Sequence, residues 1–243
     1  MNMNPSGEQY ATAYTQEEAG KLMRTFMARV FSWMSLALVI TAVTAWVFAS
    51  NASLFGLLVT AEGSMSILGW VVMFAPLGFV LLMSFGFNKL SAPVMMLLFI
   101  VFAVLMGMSL SFIFLVYTLG SIYTTFAISA GIFALMAILG YTTKVDLTRF
   151  GTIMIIGLVG VIIASVINWF LNSSALEFIV SIAGVLIFMG LTAYDVQKLK
   201  RIGVGTGMGN ASAGKLAIFG ALSLYLDFIN LFLFLLRLFG SRK

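Results

Sequence analysis

Leu216–Leu236 reads LAIFGALSLYLDFINLFLFLL, an apolar run with a single charged residue, Asp227, near its middle. Coiled as a helix at about 1.5 Å per residue, it reaches across the roughly 30 Å hydrocarbon core of a bilayer. An ionised carboxylate at that depth costs at least about 2.5 kcal/mol. Asp227 is therefore protonated, paired or turned toward water, and each option points to function more readily than to stability. The same helical face carries Ser223 at i−4 and Asn230 at i+3. A polar stripe on an otherwise apolar helix has to face the bundle interior or a water cavity.

The rest of the chain fits the same solvent. It is 62% apolar and only 9% charged, with a mean hydropathy of +1.12. A soluble domain carries about 25% charged residues. Six further apolar stretches have span length: Val30–Ala49, Ser66–Phe85, Val94–Tyr117, Ile122–Tyr141, Thr152–Leu171 and Phe178–Tyr194. The chain reads as an all-α polytopic membrane protein with seven transmembrane helices. Residues 1–23 read as a polar, disordered cytoplasmic tail, and residues 24–243 as one membrane domain. The tail has no apolar segment of the kind a cleavable signal needs.

Orientation follows from the basic residues. Lys21, Arg24, Arg29, Lys89, Lys144, Arg149, Lys198, Lys200, Arg201 and Lys215 all fall on the N-terminal side of the alternating loops. The positive-inside rule puts that side in the cytoplasm and, after seven crossings, the C-terminus outside. Arg237, Arg242 and Lys243 go against the rule, which leaves a re-entrant last segment as the alternative to a full crossing. The net charge of +5 is read as this flanking pattern and not as a nucleic-acid surface.

Glycines within the spans, Gly107, Gly131, Gly157, Gly160, Gly184, Gly190 and Gly220, read as points of close helix packing. Pro76 is expected to kink the second span. Gly203–Asn210 (GVGTGMGN) follows a helix where a phosphate cradle would follow a strand, so it reads as a flexible cytoplasmic hinge.

Cysteine and histidine are both absent. That removes disulfides, thiolate and imidazole metal ligands, Ser-His catalysis and a histidine proton switch. No constellation for an enzyme or a cofactor remains, and the seventh span has no lysine for Schiff-base chemistry. Proton chemistry near neutral pH falls to Asp or Glu. Glu8, Glu17, Glu18, Glu62, Asp146 and Glu177 read as solvated tail or loop residues. Asp195 ends the sixth span beside Lys198 at i+3, where a local ion pair is the simple explanation. Asp227 has no such partner.

The sixth and seventh spans are consecutive and antiparallel. Counted from Arg201 and Lys215, Asp195 and Asp227 differ in depth by roughly 9 Å, which tilt or a helix break would have to close. Two carboxylates sharing a dry site cannot both ionise at low cost, so a meeting pair titrates as one unit. Losing its proton would push the helices apart or recruit a cation. The alternative is that Asp227 is a hydrogen-bonded interhelical clasp.

Four stretches carry a resemblance. They are MARVFSWMSLALVITAVTAW (Met27–Trp46), GYTTKVDLTRFG (Gly140–Gly151), AYDVQKLK (Ala193–Lys200) and LYLDFINLFLFLLRLFG (Leu224–Gly240). The chain resembles the Bax-inhibitor-motif family of seven-helix membrane proteins, and its bacterial inner-membrane members most. The resemblance implies a central seventh helix wrapped by the other six, and a pH sensor made of Asp195 and Asp227. It also implies a pH-sensitive calcium leak, with those carboxylates as weak, transient calcium ligands, and a link to membrane-protein quality control. The chain departs from the family at Val196, where threonine is common, and in Ser66–Phe85, which has no basic residue.

Two functions compete. One is a pH-gated cation (calcium) leak, with Ser223, Asn230, Tyr194, Lys198 and Asn168 as supporting polar groups and calcium ions or protons as the traffic. The other is a non-conducting interaction protein that modulates a membrane protease through residues 1–20. A proton-coupled transporter is a third, weaker reading.

Overall fold

A computed structural model of the chain describes residues 16–60, 62–205 and 211–243. Nine helices occur among them: α1 (Gln16–Ser50), α2 (Ala52–Phe55), α3 (Ile67–Phe85), α4 (Ala92–Leu110), α5 (Ile113–Val116), α6 (Leu119–Thr142), α7 (Thr148–Leu171), α8 (Ser174–Gly205) and α9 (Ala211–Phe239). No strand is present among the described residues; Val59–Met65 and Tyr117–Arg242 form isolated bridges. Seven segments are long and apolar enough to cross a membrane. α4 and α5 together supply one of them.

Several boundaries differ from the sequence reading. α1 begins at Gln16, so residues 16–23 belong to a helix and not to the tail. Glu17 and Glu18 occupy its first turn, and Glu17 pairs with Lys21 at 2.7 Å. Acids at a helix N-terminus and a Glu–Lys pair one turn apart both favour helix there. The expected disorder of residues 1–15 lies outside the described residues, as do positions 206–210 of the glycine-rich hinge. Gly203 and Gly205 belong to α8. The third span divides at Ser111–Phe112, where Ser111 Oγ donates back to Met108 O at 2.6 Å. Such back-bonding by serine bends a helix. Pro76 sits inside α3, which continues as one helix to Phe85. α8 runs well beyond Tyr194, so Asp195 lies within a helix and not at its end.

α9 is the centre of the bundle. Of its most apolar stretch 67% is buried, against 11% for α7. α1, α4, α6 and α8 pack directly on α9, while α3 joins the bundle through α4 and α7 through α8. Glycines permit the closest crossings: a Cβ on Gly107 would meet Thr41 O, and one on Gly140 would overlap Ala193 O. Gly131 and Gly160, by contrast, meet no neighbour.

One buried relay fixes the rotation of α9. Thr41 Oγ1 donates to Ala103 O at 2.9 Å, so its 2.7 Å contact with Tyr225 is donated by the tyrosine hydroxyl. Tyr225 is fully buried and packs edge-on to Phe99 and Phe102. It therefore faces α1 and α4. Asp227 follows two residues later, about 200° around the helix, and so faces away from them.

Candidate functional site

The face that Asp227 presents borders a cavity between helices. α7 packs on α8 and makes no substantial contact with α9, which leaves a cavity of about 570 Å³ between the three. Asp195, Tyr194 and Lys198 line it from α8, and Ser223, Asp227 and Asn230 from α9. The polar stripe read from helical spacing is thus one wall of a cavity, with apolar side chains of α7 opposite.

A second cavity, of about 360 Å³, lies toward the start of α9. Its lining includes Ser84 from the last turn of α3, Asn88 from the α3–α4 connection and Leu216 from α9. Asp195, Lys198 and Ser223 line both cavities. Asp227 and Asn230 line only the first. The two spaces therefore share Asp195, Lys198 and Ser223 as wall residues.

The two carboxylates have different surroundings. Asp195 is half-buried, and the charge of Lys198 acts on it through space. No ion pair within 4.0 Å joins them; Lys198 Nζ lies 5.9 Å from the centre of the Tyr194 ring. The expected local pair is displaced because Tyr194, one turn earlier, offers a cation–π face on the same side. Asp227 is 5% exposed, and its Oδ2 has no hydrogen-bond partner. The charge acting on it is that of Asp195. Asn230 donates its amide N–H to Leu226 O at 2.8 Å.

Asn168 is not part of this site. Its Oδ1 accepts from Ser173 N at 3.0 Å and its carbonyl accepts from Asn172 N, closing the turn between α7 and α8. A helix C-terminus leaves carbonyls to be satisfied, and Asn172 takes the left-handed conformation that lets the turn do so.

A network absent from the sequence reading lies just beyond Asp195. Gln197 is buried; its Nε2 donates to Val145 O at 2.7 Å, and its Oε1 accepts from Leu147 N at 2.9 Å. Arg201 donates to Asp146 Oδ1 at 2.7 Å, to Gln197 Oε1 at 2.9 Å and to Thr148 Oγ1 at 3.2 Å. Lys200 donates to Tyr141 O at 2.7 Å. Asp146 is thus paired and not merely solvated. Hydrogen bonds from Thr148 and Arg201 hold its carboxyl well below the usual carboxylate range. These contacts dock the α6–α7 connection onto α8 and explain why that helix continues past its apolar part. The motifs Gly140–Gly151 and Ala193–Lys200 are two sides of one clamp.

At the opposite end, the last residues fold back. Thr118 N donates to Ser241 O at 3.0 Å, Ser241 N to Ser121 Oγ at 2.8 Å, and Lys243 N to Val116 O at 2.9 Å. Arg242 pairs with Glu177 at 3.1 Å. The basic residues that break the charge pattern are held by partners there.

This arrangement matches known sequences along nearly its whole length. The family described as inhibitor of apoptosis-promoting Bax1 matches residues 23–243. The inner membrane protein YbhL of Escherichia coli strain K12 is 45% identical over 229 residues, 94% of this chain and 95% of that protein. A Borreliella burgdorferi protein is 43% identical, covering 94% and 97% of the two chains. One from Deinococcus radiodurans is 39% identical, covering 95% and 96%. The chain is a multi-pass membrane protein and belongs to the Bax1-inhibitor family.

Proposed function

We propose that the protein is a pH-sensitive cation leak of the bacterial inner membrane, with calcium as its cargo and Asp195 and Asp227 as its gate. The observation that supports this reading is that Asp195, Lys198 and Ser223 line both cavities. A leak would follow a polar route past them, from the α3–α4 connection to Asp227. Lys198, Ser223 and Asn230 line the route, and Tyr194 flanks it. Calcium prefers oxygen ligands, and two carboxylates with one hydroxyl and one amide make a weak, transient site. The inner-membrane assignment draws on YbhL. The basic loops favour a cytoplasmic N-terminus and an external C-terminus.

Gating follows from the pair. With one proton between them, the carboxylates tolerate a dry neighbourhood. Loss of that proton adds a second negative charge, which favours hydration, helix separation or cation entry. The reading is of a conductor and not a catalyst, and it needs no cofactor.

One observation favours the non-conducting alternative, a modulator of membrane-protein quality control acting on a membrane protease through residues 1–20. Beyond Asn230, α9 carries no polar side chain until Arg237, so the route ends in apolar packing. Calcium flux into liposomes containing the purified protein, measured from mildly acidic to mildly alkaline pH, separates the two. A leak raises flux above empty liposomes and loses its pH dependence in Asp227→Asn. Flux equal to that of empty liposomes at every pH eliminates the leak.

A further inference from the structure

The cavity beside Asp227 is built for a ligand other than a bare metal ion. A resident hard cation takes about six to eight oxygen ligands. Here, among the described residues, no cluster of three or more acidic, histidine or cysteine side chains exists. One side of the cavity is apolar: Ile155, Leu158, Val161 and Ile162 of α7. Two aromatic rings, Phe188 and Phe234, close another part of it, stacked with centroids 5.9 Å apart. Its volume, about 570 Å³, is within the range of small-molecule sites.

Against that apolar lining stands the Asp227 carboxylate, 5% exposed, with its Oδ2 buried and without a partner. A buried polar atom without a partner is rare and calls for a missing partner. The other charged groups lining the cavity are Asp195 and Lys198. Both lie toward the second cavity, and the Lys198 charge already acts on Asp195. Asp227 is the carboxylate left without a cation.

Ile155, Ile162 and Val166 of the apolar helix α7 line the cavity and are 48%, 53% and 52% exposed. The apolar wall is therefore accessible, as entry of a ligand from the bilayer requires.

We propose that the cavity between α7, α8 and α9 binds a lipophilic primary ammonium compound, which enters from the bilayer, lays its apolar body along α7 and donates an N–H to the Asp227 carboxylate. A charge-assisted hydrogen bond in a dry site is among the strong ones. The Phe188 and Phe234 rings add apolar contact. One carboxylate and an apolar wall suffice for such a ligand, whereas they underserve calcium. A bound ammonium would occupy the acceptor that a passing cation uses, so compounds of this class would act as blockers of the proposed leak.

The test uses the full chain in nanodiscs of zwitterionic lipid, with 1-aminoadamantane as the probe and neutral 1-adamantanol as the control. Binding is read as the saturable rise in thermal unfolding midpoint, without any ion flux, so its outcome is independent of whether the chain conducts. The amine is expected to saturate at a concentration roughly thirtyfold or more below the alcohol, and the Asp227→Asn variant to lose that advantage. Ser165→Phe, which fills the α7 side while leaving both aspartates in place, is expected to weaken the amine as well. Equal half-saturation for amine and alcohol overturns the proposal. So does undiminished amine binding in Asp227→Asn. Should that variant not fold, undiminished binding in Ser165→Phe overturns it on its own.

Discussion

Asp195 on α8 and Asp227 on α9 line one cavity, but only Asp195 also lines the second cavity beyond it. The pair is therefore asymmetric: one carboxylate borders both spaces, the other only the first, with an oxygen unbonded. An interhelical clasp would use both oxygens of Asp227 in hydrogen bonds. Oδ2 makes none, so this group holds no helix through that atom.

The first expected outcome follows. A buried unsatisfied polar group costs about 1–3 kcal/mol. Asp227→Leu, with the same branched arrangement of heavy atoms and matched to its apolar neighbours, should stabilise the protein by about that amount while removing any pH-dependent conduction. Thermal unfolding in nanodiscs beside the flux assay checks both. A clasp residue would give the opposite sign, a lower unfolding midpoint.

The clamp below the site should behave in the reverse way. Gln197 is buried, and its amide serves two backbone groups of the α6–α7 connection. Gln197→Ala leaves Val145 O and Leu147 N without it, at a cost of about 1–3 kcal/mol. Hydrogen exchange should rise locally at Leu147, whose amide loses its acceptor. Unchanged exchange there would show that the docking does not depend on Gln197.

The contrast between Asp227 and Gln197 also shows what could be read before the fold was known. The period of a helix alone puts Ser223, Asp227 and Asn230 on one face, and hydropathy alone counts seven spans, so that much was legible. The central place of α9 was carried by the family resemblance. The partners of Gln197 are backbone atoms 50 and 52 residues away, with no side-chain signature to announce them. Asp146 looked like a solvated loop acid because its partner, Arg201, comes 55 residues later. Asn168 misled for another reason: a polar residue near a span end serves as well for closing a turn as for lining a route. Lys198 has the spacing for a pair with Asp195, but the Tyr194 ring one turn earlier offers its ammonium a second partner on the same side.

Acid should weaken the clamp. The Asp146 carboxyl titrates below its ordinary value when folded, through hydrogen bonds from Thr148 and Arg201. A group with a depressed folded pKa stabilises the fold at pH values above its unfolded pKa, about 3.9, and loses that contribution as pH falls through the folded value. The stability difference between wild type and Asp146→Asn should be constant across neutral pH and shrink only below about pH 4. Over the range where a pH-sensitive leak would operate, the clamp is therefore a fixed platform. A difference that changed between mildly acidic and mildly alkaline pH would contradict this assignment.

The C-terminal fold-back offers a test of orientation. Ser241 lies against Thr118 and Ser121, at the end of the bundle opposite the Gln197 clamp. If all seven helices cross, Ser241 and Lys144 lie on opposite sides of the membrane. The chain has no cysteine, so a single introduced thiol reports without background. Ser241→Cys should react with a membrane-impermeant maleimide added outside intact spheroplasts, and Lys144→Cys only after permeabilisation. The Arg242–Glu177 pair is largely exposed, at 60% and 36%, so Glu177→Gln should change stability by under about 1 kcal/mol. The expected labelling should therefore survive that substitution. Loss of outside reactivity at position 241 in the otherwise native chain would instead return the last segment to the cytoplasm.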